Sequence, residues 1–69
     1  MEIKEFTVKE QPGFRLRVKS WAVSRPEGIY SLDFIQENLD KDNNVSSASS
    51  YNFFMTKEEI KTLCEGLMK

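Results

Sequence analysis

Sixty-nine residues, 39% hydrophobic and 30% charged with a net charge of −1, describe one small domain, 1–69, because so few apolar groups could not fill a second core. One cysteine excludes an internal disulfide, and the absence of histidine excludes a histidine-bearing zinc site and any Cys-His or Ser-His nucleophile pair. The near-neutral charge argues against indiscriminate nucleic-acid binding, and no apolar run reaches the roughly 18 to 20 residues of a membrane span.

The first segment, Ile3 to Glu10, alternates Phe6 and Val8 against Thr7 and Lys9, a pattern suited to a strand. Gln11-Pro12-Gly13 follows, with proline and glycine placed for a type II turn. From Phe14 to Ser24 the alternation is clearest. Phe14, Leu16 and Val18 point one way, and Arg15, Arg17, Lys19 and Trp21 the other. Arg25-Pro26-Glu27-Gly28 is the second turn. Tyr30, Leu32 and Phe34 line one side of a third strand, opposite Ser31 and Asp33.

A polar break from Asn38 to Asn44 precedes the fourth strand, Val45 to Met55, which is serine-rich at first and aromatic at Tyr51-Asn52-Phe53-Phe54. The period then changes from two to 3.6, with Ile60, Leu63, Cys64 and Leu67 on one helical face. Thr56 and Glu59 match a capping box. The expected fold is α+β: a four-stranded antiparallel β-meander over residues 2–55 followed by one C-terminal α-helix over 57–68. That helix should lie on the sheet face formed by Phe6, Val8, Phe14, Leu16, Val18, Tyr30, Leu32 and Phe34, with Cys64 a buried, inert thiol.

A core this small is marginal and needs a further stabilising device. With disulfide and metal excluded, a homodimer is expected, and Leu63, Leu67 and Met68 are its expected contact residues, because one helix cannot cover four strands. An unpaired thiol and a start at Met1-Glu2-Ile3-Lys4-Glu5 without the apolar stretch of a signal peptide point to the interior of a cell, the cytoplasm.

Four cations and no acid fall between Phe14 and Arg25, a local charge of +4. In an extended strand Arg15, Arg17, Lys19, Trp21 and Arg25 share one face, repeating about every 6 to 7 Å. Cations tracking phosphates beside an aromatic ring for stacking are what single-stranded DNA or RNA requires. Tyr51 and Phe53, together on one face of the fourth strand, are further stacking candidates. The alternative is that basic side chains merely keep a solvated strand from aggregating, with Glu5, Glu10, Asp33 and Glu37 able to neutralise them across the strands.

Other constellations carry less. Asp40, Asp42 and Asn44 have the opening spacing of a calcium loop, but Val45 and Tyr51 stand where that loop requires glycine and glutamate, so a solvated turn is expected. Glu58 and Glu59 diverge on the helix and favour its N-terminus. No catalytic residues, metal or cofactor are expected.

From Tyr51-Asn52-Phe53-Phe54-Met55-Thr56 into Lys57-Glu58-Glu59-Ile60, an aromatic strand passes through a threonine cap into an acidic-headed helix. Here, and in overall order, the chain resembles the single-stranded-DNA-binding fold of the transcriptional positive cofactor four family and its Whirly relatives. The resemblance implies a four-stranded sheet followed by a helix, dimers paired through helix and last strand, and single strands bound on exposed sheet surface, here at Arg15, Arg17, Lys19, Trp21 and Arg25. The competing expectation is a protein-interaction domain that docks a polypeptide on its sheet face or edge.

Overall fold

The computed structural model describes residues 2–69, and it has the expected ββββα order: β1 (Ile3–Gln11), β2 (Phe14–Ala22), β3 (Ile29–Leu39), β4 (Val45–Thr56) and α1 (Lys57–Leu67). The strands form one antiparallel sheet in the order β1-β2-β3-β4. Pro12-Gly13 closes the first hairpin between paired Gln11 and Phe14, and Gly13 adopts φ +86°, the left-handed geometry that a type II turn requires of its third residue.

The loop after β3 satisfies itself. Asp40 Oδ1 accepts from the amides of Asp42 and Asn44 at 2.8 and 2.9 Å, and Asn43 turns the chain at φ 64°. Among the described residues no three His, Cys, Asp or Glu side chains could hold a metal together, and no helix is long and apolar enough to cross a membrane.

Register fixes which residues share a face. Phe6, Val18, Phe34 and Tyr51 form one cross-strand row, and Ser20, Leu32 and Phe53 lie in the next. This is the apolar face, where Phe34 and Phe53 meet edge to face with centroids 6.0 Å apart, a favoured aromatic geometry. The other face carries Arg15, Arg17, Lys19 and Trp21.

A bulge between Thr7 and Lys9 shifts the register of β1. Continued without it, the pairing would set Lys9 against Arg15. With it, Glu10 stands there. The extra residue thus exchanges a like-charge pair for an opposite one while Val8 stays on the apolar side.

The helix starts as expected. Thr56 Oγ1 accepts from the Glu59 amide at 3.1 Å, and Glu59 Oε1 accepts from the Thr56 amide at 2.8 Å, which satisfies two of the donors a helix N-terminus leaves free. Its position departs from the expectation. α1 packs against the end of β4 and buries none of its residues, because it follows β4 with no intervening loop that could fold it flat onto the strands.

An apolar groove of about 760 Å³ therefore stays open between sheet and helix. Among the described residues only Val18 and Leu32 are buried hydrophobics, while Phe6 is 55% and Leu67 74% exposed. Cys64, expected to be buried, is exposed on the helix side of this groove.

Candidate functional site

The second strand delivers its cations to one face, but not as a comb of evenly spaced, free charges. Arg15 and Arg17 both donate their Nε to the same oxygen of Glu37, at 2.8 and 3.0 Å. The cause lies in the register: Arg15 is directly opposite Glu37, and Arg17 is the next residue on that face. Two guanidinium groups that an extended strand would hold apart are drawn together onto one atom.

Glu37 is only 6% exposed, and a carboxylate so placed needs such partners. The hydrogen bond from Arg15 holds its carboxyl below the usual glutamate range, with the charges of Arg17 and Arg15 adding to the effect against the opposing effect of burial. The same bond, more than the nearby charges of Glu37 and Glu10, raises the Arg15 guanidinium above its ordinary value.

Two further acids come from β1. Glu5 pairs with Arg17 Nη1, and Glu10 lies 3.8 Å from Arg15 Nη1. Three carboxylates thus surround two arginines, so the +4 of the second segment is largely cancelled where it is densest.

Lys19 is different. Among the described residues it forms no ion pair with either cross-strand neighbour, Glu5 or Asp33. Its ammonium lies 6.0 Å from the centroid of the Trp21 ring, within cation–π range. Arg25 falls outside the strand, which ends at Ala22, and occupies the exposed loop before β3. It is therefore a separate cation, not the last member of the row.

The aromatic candidates divide between the faces. Tyr51 and Phe53 lie opposite Phe34 and Leu32 on the apolar side, so they do not extend the surface of Trp21. Phe54 does. Trp21, Ser31 and Phe54 form one row across three strands, with Phe54 66% exposed and Ser31 only 1%. The small serine between the two large rings is almost wholly covered. Asn52 Nδ2 donates to Ser31 Oγ at 2.7 Å and also to Asp33, which fixes the serine between them. Phe54 was legible only through register: its partner Ser31 has the parity of Trp21, whereas Phe53 has that of Leu32.

The dimer candidates Leu63 and Leu67 line the open groove, and Met68, just past α1, is exposed. The chain has an accessible surface of 5585 Å², whereas a compact monomer of 8.1 kDa exposes about 4,500 Å². The excess of about 1,100 Å² exceeds the roughly 800 Å² that one partner contributes to an ordinary specific interface. The shape agrees, for the molecule measures 42 × 31 × 17 Å and its radius of gyration of 14.1 Å exceeds the roughly 11 Å of a compact domain of this length. No protein-family model, curated protein or solved structure matches this chain.

Proposed function

We propose that this chain is a small non-enzymatic binding module that works as a homodimer, closed over its apolar groove, and takes single-stranded DNA or RNA on the opposite face. One observation carries the ligand: Trp21 and Phe54 stand in register on either side of Ser31, beside Lys19, which among the described residues forms no ion pair. The exposed ring of Phe54 and the half-buried ring of Trp21 offer stacking surface, which accepts any base because every base has a π-face.

Stacking outweighs phosphate contact in this arrangement, since Arg15 and Arg17 already face carboxylates. With one seat at the converged arginines and one at Lys19, log affinity should fall with log salt at a slope of only about −1 to −2. Fluorescence anisotropy of a labelled oligothymidylate at 50 mM salt tests the reading. Saturable binding supports it, and no binding by the wild-type chain overturns it.

A specific feature favours a second reading. β4 is an outer strand, and from Val45 to Thr56 it has no charged residue, the protection that β1 has in Lys4, Glu5, Lys9 and Glu10. A polypeptide added along that edge would make this a protein-interaction domain. That reading requires a partner that survives nuclease treatment and a chain that ignores oligonucleotides.

A further inference from the structure

We propose that the converged Arg15 and Arg17 form a single phosphodiester seat, fixed from beneath by Glu37 and occupied from above by Glu5 and Glu10, which a bound phosphate must displace. This inference rests on the nucleic-acid reading and names the contact that tunes it. The two tiers of acid differ in how firmly they are held. Glu37 is buried and takes both Nε atoms, so it orients the guanidinium planes and stays in place.

Glu5 and Glu10 are exposed members of the outer strand, and each pairs with an Nη1 on the rim. Exposed pairs of this kind contribute little and yield readily to a better anion. A phosphodiester is such an anion: arginine's planar fork matches its oxygens, and two guanidinium groups can share one phosphate.

The β1 bulge is part of the device. It places Glu10 opposite Arg15 where the unbroken register would place Lys9. With Lys9 there the seat would be strongly positive and would hold any polyanion. With Glu10 there, charge attracts only weakly, and a ligand must also satisfy the Trp21 and Phe54 rings. The device gives selectivity for single strands, whose bases are free to stack, over duplex, which offers phosphates alone.

The test compares three proteins for labelled oligothymidylate at 50 mM salt: the wild type, a Glu5→Gln/Glu10→Gln variant, and a Glu27→Gln/Glu58→Gln variant with the same gain in net charge far from the seat. Removing a charge about 4 Å from a bound anion is worth about fivefold in water. The Glu5/Glu10 variant should therefore bind at least about fivefold tighter than the wild type, and the control within about twofold.

The same variant should also gain affinity for a blunt duplex, narrowing the preference for single strands. Glu10→Gln alone, at the longer of the two pairs, should show a smaller gain and serves if the double variant is poorly folded. Wild-type binding with no tightening beyond the control overturns the competing-acid seat and leaves the nucleic-acid reading standing. No binding by any of the proteins overturns both.

Discussion

Trp21 and Phe54 occupy one row of the sheet on the same face, separated by a single strand and by nothing larger than Ser31. Each ring should therefore contribute to stacking. Trp21→Ala and Phe54→Ala should each weaken oligothymidylate binding by about 1 to 3 kcal/mol, read by anisotropy of the labelled strand. Phe53→Ala, one residue away on the opposite face, should leave the affinity of folded protein unchanged. Equal losses for Phe53→Ala and Phe54→Ala would place the ligand elsewhere.

Leu67 is largely exposed on a helix that buries nothing, so in a monomer its replacement would cost little. In a dimer closed over the groove it becomes core. Leu67→Asp should convert a dimer to a monomer in sedimentation equilibrium at micromolar concentration, and the wild type should show a melting temperature that rises with protein concentration. A wild-type chain that sediments as a monomer ends this proposal.

Much of the fold was legible because local signals agreed. Alternation marked β2 and β3, Pro12-Gly13 marked the first turn, and Thr56 with Glu59 marked the helix start to the residue. What escaped depended on distant pairing. Nothing local to Val8 announces a bulge, yet that bulge decides whether Lys9 or Glu10 meets Arg15. The choice between Phe53 and Phe54 required the β3–β4 register, since both are equally aromatic and neighbours on one strand. The helix was expected on the sheet because its apolar face needs cover, and periodicity cannot say whether that cover comes from the same chain.

Thr56 closes β4 and caps α1 in one residue. Thr56→Ala removes the acceptor for the Glu59 amide and should cost about 1 kcal/mol, measured by urea unfolding. Asn or Asp at this position should recover most of the loss, as both are strong N-caps. If Thr56→Asp is as unstable as Thr56→Ala, the β-side packing of the threonine methyl, not the cap, sets its contribution.

Glu37 links stability to acid. Its carboxyl is held below the ordinary value of 4.5, first by the hydrogen bond from Arg15 and then by the charges of Arg17 and Arg15. The unfolded chain, in which that bond is gone, takes up the proton at a higher pH than the folded one. The stabilisation is therefore complete above the unfolded value and is lost as pH falls through the lowered, folded value. Urea unfolding between pH 7 and pH 3 should show wild-type stability falling in the acid limb. Glu37→Gln, which keeps an acceptor but no charge, should start lower at pH 7 and decline less on acidification. Two parallel curves would mean that the Arg15–Glu37–Arg17 contact contributes no more to the folded state than it does to the unfolded chain.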